Sequence, residues 1–155
     1  MRSPLLLGAA AGFVLVVQAS LKDLQRAVRE RLLSEAGTSE LVYTRVDFSH
    51  CAATIQTRTL KSSGSREVRL TTTFQLAAIT VVSGKDLPQL ILKGEGPGSA
   101  FRQIEQAIDS GKIRERVSAA DTLAFQFQRN ATARQVGEGF TQISKLCKDD
   151  DPLHK

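Results

Sequence analysis

Leu21, Leu24, Val28 and Leu32 recur at helical spacing up to Gly37, and Ser20 stands three residues before Asp23 in a capping arrangement. A helix is therefore expected from about Leu21 to Ala36. From Glu40 the period falls to two, with β-branched and aromatic residues at Val42, Tyr43, Val46 and Phe48, which predicts a strand. Thr54–Leu60 and Arg66–Gln75 flank the polar connection Lys61–Ser65 and read as a hairpin. In its second arm Val68, Leu70, Thr72 and Phe74 alternate with Arg69, Thr71 and Thr73, so one face is buried and the other wet.

Leu76 to Val82 continues apolar and β-branched until Ser83-Gly84-Lys85-Asp86 turns the chain. Gln89–Lys93 predicts a further strand, broken by Gly94, Gly96, Pro97 and Gly98. Ala100, Phe101, Ile104, Ala107 and Ile108 have helical spacing, so a helix is expected over Ser99–Asp109, an edge strand being the other reading of this short segment. Leu123–Gln128 alternates again. Asn130 stands where an N-cap belongs, ahead of an amphipathic helix, Ala131–Lys148, carrying Ala133, Val136, Phe140, Ile143 and Cys147 on one face. Gly137 and Gly139 inside it each cost roughly 1 kcal/mol in propensity, so either they permit close packing or the helix is weaker than its pattern. No internal repeat is present.

The segment before Ser20 has the divisions of a secretory signal peptide: basic Arg2, an apolar run from Pro4 to Val17, and small Val17 and Ala19 around Gln18. Cleavage is expected between Ala19 and Ser20. The apolar run, roughly 14 residues, is shorter than the ~20 a membrane-crossing helix needs, so no stable membrane span is expected after cleavage. The expected organisation is a signal peptide over 1–19, one domain over 20–148 and a polar tail over 149–155, in a secreted or periplasmic protein.

Charge adds little. Lys and Arg number 21 against 16 Asp and Glu, a formal +5 that falls to +4 once Arg2 leaves with the leader. Lys22, Arg26, Arg29 and Arg31 are interleaved with Asp23, Glu30 and Glu35, the pattern of a solvated helix face. With Tyr43 the sole Tyr and no Trp, the chain lacks the stacking platforms of a nucleic-acid groove, and no nucleic-acid partner is expected.

Cys51 and Cys147 form an even pair in a chain read as exported, which predicts a disulfide; two buried thiols are the other reading. Such a bridge closes a loop of about 100 residues, worth up to ~4–5 kcal/mol in the chain-entropy model. His50 and Cys51 are adjacent, and neighbours on a strand point to opposite faces, which argues against their converging on one metal or one reacting atom. Gly94-Glu95-Gly96-Pro97-Gly98 has the spacing of a phosphate-cradling turn in part only: Ser99 replaces the third glycine, Glu95 brings a negative charge, and no Lys-Ser/Thr pair follows. Asp47, Asp109, Glu115 and Asp121 are unpaired by spacing. Asn130-Ala131-Thr132 satisfies the N-glycosylation sequon, in competition with helix capping. No motif calls for a cofactor or a metal.

The order of elements, antiparallel strands with a clear hairpin and then Leu123–Gln128 leading through Asn130 into Ala131–Leu146, resembles a pleckstrin-homology-like domain over roughly Glu40 to Cys147. The resemblance implies a curved antiparallel sheet or partly open barrel with the C-terminal helix packed on it, and with the N-terminal helix read from periodicity the expected fold class is α+β. A helical Ser99–Asp109 would be an insertion in that pattern. The functional expectation is a non-catalytic exported module binding a protein or an envelope component. The alternatives are a carrier of a small hydrophobic ligand, in a cavity lined by Phe74, Phe125, Phe127 and Phe140, and an envelope hydrolase.

Overall fold

The computed structural model describes residues 20–60, 66–83 and 88–150. Residues 1–19, 61–65, 84–87 and 151–155 lie outside them, so the expected signal peptide, its expected cleavage site at Ala19 and most of the expected tail are not described. Two helices pack on a curved antiparallel sheet of five plus three strands, which does not close into a barrel.

Helix α1 spans Leu21–Glu35 and starts as its sequence predicts, with the Ser20 side chain accepting from the Asp23 N–H at 3.1 Å. Gly37 then turns the chain at φ 106°, where an added Cβ would lie 2.4 Å from the Leu41 carbonyl oxygen. Strand β1 (Leu41–Ser49) pairs with β2 (Ala52–Leu60), and a register shift between Tyr43 and Arg45 bulges Thr44 so that Tyr43 and Val46 both reach the core. β2 and β3 (Arg66–Gln75) form the expected hairpin, with Thr57 opposite Leu70 and Ala53 opposite Phe74. The expected continuous run after β3 is interrupted by a 3₁₀ turn, Leu76–Ala78, because the Leu76 side chain is drawn fully into the core while its N–H bonds the Cys51 carbonyl at 2.8 Å.

β4 (Ile79–Ser83) and β5 (Gln89–Gly94) open a second sheet that β8 (Thr122–Gln126) completes. Between them β6 (Phe101–Asp109) returns beside β3, and β7 (Lys112–Ala120) folds back on β6, giving the order β1-β2-β3-β6-β7. The helix expected over Ser99–Asp109 is thus a strand. Its Gln, Glu and Ala residues favour a helix in isolation, but β3 pairs on one edge and β7 on the other, and that tertiary pairing overrides propensity.

Helix α2 runs from Asn130 to Asp150, longer than expected at both ends and into the segment read as tail. Asn130 is already helical; the first intrahelical bond, from Ala133 N–H, goes to the Arg129 carbonyl, so Arg129 holds the cap position expected of Asn130. The two helical glycines are close-approach points. A Cβ on Gly139 would meet Val28 Cγ2 at 2.6 Å, and one on Gly137 would meet Leu90 at 3.1 Å. Ser144 Oγ donates to the Ile79 carbonyl at 3.2 Å, tying α2 to the start of β4.

The core lies between α1, α2, the three-stranded sheet and one end of the five-stranded sheet, around Leu32, Ile55, Leu76, Phe101, Phe125, Phe140 and Ile143. Cys51, on the β1–β2 turn, is disulfide-bonded to Cys147 on α2, with Cα atoms 5.7 Å apart.

Candidate functional site

The sheet is longer than the core that covers it. On its helix-facing side, Phe74, Thr72 and Phe101 are buried, whereas Leu70, Val68, Glu105 and Ala107, further along β3 and β6, are only half-buried. Beyond them nothing among the described residues packs on the sheet, and every residue from Lys112 to Val117 is exposed.

The β6–β7 hairpin makes this open end. Its loop is two residues, Ser110 at φ 49° and Gly111 at φ 82°, with Asp109 opposite Lys112; positive φ at both is the type I′ geometry that matches strand twist. Pairing then alternates. Lys112, Arg114, Arg116 and Ser118 exchange backbone hydrogen bonds with β6, while the N–H and C=O groups of Ile113, Glu115, Val117 and Ala119 point away to the free edge. Side chains alternate with the same period. Ile113 and Val117, opposite Ile108 and Ile104, lie on the outer face with 65% and 57% of their surface exposed. Lys112, Arg114 and Arg116 lie on the helix-facing side, opposite Asp109, Ala107 and Glu105.

Acidic groups here are already engaged in part. Arg66 holds Asp109 at 3.2 Å, Arg58 and Arg69 both hold Glu67 at 3.3 Å, and Gln106 donates to Glu115 at 3.2 Å. Lys112, Arg114 and Arg116 have no ion-pair or hydrogen-bond partner among the described residues. On the same side Arg66, Val68, Ala107 and Arg114 line an open hollow of about 540 Å³.

The residues singled out in the sequence are placed elsewhere. Phe74, Phe125, Phe127 and Phe140 are buried together in the core, with Phe125 and Phe140 ring centroids 5.8 Å apart and Phe74 5.0 Å from Phe101. His50 and Cys51 sit on a turn rather than a strand, and they diverge: Cys51 to the disulfide, His50 Nε2 to Asp150 at 2.9 Å. Gln25 on α1 caps the same turn by donating to the His50 carbonyl at 2.6 Å. Asp47 pairs with Arg45, and Asp121 accepts from Ser99 at 3.0 Å, so Asp47, Asp109, Glu115 and Asp121 each have a local partner and share no site. Glu95 accepts from Thr80 at 2.8 Å and pairs with Lys148 at 2.6 Å, which fastens the glycine-rich loop to α2. Among the described residues no group of three or more His, Cys, Asp or Glu is placed to hold a metal ion, and no helix is long and apolar enough to cross a membrane.

Among the described residues two ionisable groups are perturbed, both away from the open end. The Arg129 guanidinium, hydrogen-bonded to Glu35, holds that carboxyl below its ordinary range, with Arg31 assisting from 3.1 Å. Burial pushes the Tyr43 hydroxyl up.

Comparison of the chain with protein-family models, curated proteins and solved structures gave no match. The open end of the sheet, which lay within the stretch misread as a helix and its polar sequel, is the candidate site on geometry alone. Its signal in the sequence was the apolar positions Ile104, Ile108, Ile113 and Val117 around Ser110-Gly111.

Proposed function

We propose that this chain is an exported, non-catalytic interaction module, secreted or periplasmic, that docks a partner on the open end of its five-stranded sheet. The observation that carries the reading is the free edge of β7, where Ile113 and Val117 stand exposed beside unpaired backbone groups. Natural proteins usually cover such an edge or blunt it with charge, because it is a ready template for another strand; β7 carries charge at Lys112, Arg114, Glu115 and Arg116, and Ile113 and Val117 still leave an apolar strip beside its free backbone groups. The Cys51–Cys147 disulfide is consistent with an oxidising compartment and supports export. Kinship with pleckstrin-homology-like domains rests on the order of elements, antiparallel strands followed by the C-terminal helix.

A photo-crosslinking amino acid placed at Val117 in the expressing cell tests the docking site, with Lys145 on the exposed side of α2 as control. A discrete adduct from Val117 and none from Lys145 is expected. Equal adducts from both positions, or none from either, would count against it. Intact mass of the exported protein tests export: loss of Met1–Ala19 is expected, and a full-length chain retained in the cytosol would refute it.

A further inference from the structure

We infer that the partner is an acidic, extended polypeptide segment that adds to β7 as a further antiparallel strand. The inference rests on the docking surface proposed above and names its occupant. Three features of the edge select for it. The outward N–H and C=O groups of Ile113, Glu115, Val117 and Ala119 repeat at the spacing of a peptide strand. On the outer face, Ile113 and Val117 offer apolar contacts to every second or fourth residue of that strand. On the other face, Lys112, Arg114 and Arg116 form a basic row with no partner among the described residues, against which the nearest acidic groups on β6 are Glu105 and Asp109, the latter already held by Arg66. A segment alternating carboxylates with apolar residues satisfies all three.

A second copy of this chain fits poorly. Antiparallel pairing of β7 with itself about Glu115 sets Glu115 against Glu115 and Arg114 against Arg116 twice, and pairing about Val117 sets Arg114 and Arg116 against Ala120 and Ser118, so in neither register does a carboxylate meet the basic row. A nucleic acid or an anionic bilayer would meet the basic row but leave the edge groups and the apolar face unused.

The probe is a blocked, fluorescein-labelled heptapeptide, Glu-Val-Glu-Thr-Glu-Val-Glu, titrated into the disulfide-intact protein. Controls are the lysine counterpart, a rearranged Glu-Glu-Val-Thr-Val-Glu-Glu of equal charge, and the first peptide N-methylated at alternate residues. The first peptide is expected to bind at least about tenfold tighter than any control, a difference that a lost hydrogen-bond register or reversed charge readily supplies. Arg114→Glu with Arg116→Glu is expected to reverse the preference towards the lysine peptide. Glu115→Pro removes an outward N–H and leaves the backbone bonds to β6 in place, at the cost of the exposed Gln106–Glu115 side-chain hydrogen bond, and is expected to weaken binding by a similar factor. Should Glu115→Pro disturb the fold, the N-methylated peptide carries the same test on the intact protein. Equal binding of the rearranged or N-methylated peptide, no binding of the first peptide, or tighter binding of anionic vesicles or duplex DNA would overturn the inference. A Val117 crosslink that persists while the peptide fails would leave the docking surface standing and remove only this occupant.

Discussion

Breaking the Cys51–Cys147 bridge is expected to cost a large share of the protein's margin of stability. The bond links positions 96 apart, from the β1–β2 turn to the last turns of α2. Closing a loop of that length removes about 15–16 cal/mol/K of chain entropy from the unfolded state, or about 4–5 kcal/mol at 25 °C. Domains of this size are stable by only about 5–15 kcal/mol, so the loss is large against the whole. Reduction of the native protein leaves both thiols in place and isolates the crosslink. Replacing both residues by Ala adds a packing loss of roughly 1 kcal/mol, because the Cys147 sulfur is buried. At this chain length each kcal/mol moves the midpoint by roughly 3–5 °C, so reduction should lower Tm by roughly 12–25 °C. The assay is urea and thermal unfolding with and without reductant, with an amide fingerprint of the reduced protein below its midpoint. Since the effect lives in the unfolded chain, that fingerprint should change only around the β1–β2 turn and the end of α2. A loss below about 1.5 kcal/mol would refute the reasoning, meaning that the reduced chain remains crosslinked in effect by residual structure.

The paired glycines of α2 should respond oppositely to alanine. Gly139→Ala forces a Cβ into stiff Val28 and should destabilise by about 0.5–2 kcal/mol even after the helix-propensity gain, whereas Gly137→Ala, facing a flexible Leu90 terminus, should be neutral or stabilising by up to ~1 kcal/mol; chemical denaturation separates them. Tyr43 contributes a pH dependence on the alkaline side. Its folded value is raised, so the stability is whole below the unfolded value near ~10 and is lost as pH climbs past it, and Tyr43→Phe should flatten the unfolding midpoint between about pH 9 and 12. Glu35 acts on the acid side: its folded value is lowered, so its stabilisation is present above the unfolded value and lost as pH falls through the folded one. Arg129→Gln should therefore lower Tm at neutral pH, and the difference from the unmodified protein should close in acid.

Much of the fold was legible because local signals and tertiary packing agree there. Ser20 caps α1 as its spacing with Asp23 predicts, the β2–β3 hairpin keeps the alternation of Val68 to Phe74, and α2 buries the face that Val136, Phe140 and Ile143 mark out. The disulfide followed from parity and compartment alone. Legibility failed where the two disagree. Phe101, Ile104, Ala107 and Ile108 fit a helical stripe by accident of spacing, and only the long-range partners Thr71 and Val117 of Ile104 make the segment a strand. β7 was invisible for a related reason: with both faces wet it has no buried stripe to impose a period, so its sequence reads as a polar connection. Asn130 was misplaced by one residue, within the ordinary uncertainty of a helix start.

The same contrast orders the dynamics. One end of the five-stranded sheet is held by the disulfide, by Gln25 on the β1–β2 turn and by two helices, while the other projects the β6–β7 hairpin, in which β6 is flanked by β3 and β7 is held by β6 alone. Stability should therefore fall along the sheet towards Ser110-Gly111, with amide exchange as the direct readout. Amides of Ile55, Phe74 and Phe101 should exchange by global unfolding alone. Those of Arg114 and Arg116, bonded to β6 but unsupported by packing, should exchange by local opening, and those of Ile113, Glu115 and Val117 should be unprotected. A segment added to β7 must satisfy these three outward amides, so bound probe should protect them first and, by coupling through the strand, slow Arg114 and Arg116 as well. Protection confined to Arg114 and Arg116 would mean that the ligand binds the basic row from above and leaves the edge free. Protection of all five would place a strand at the edge.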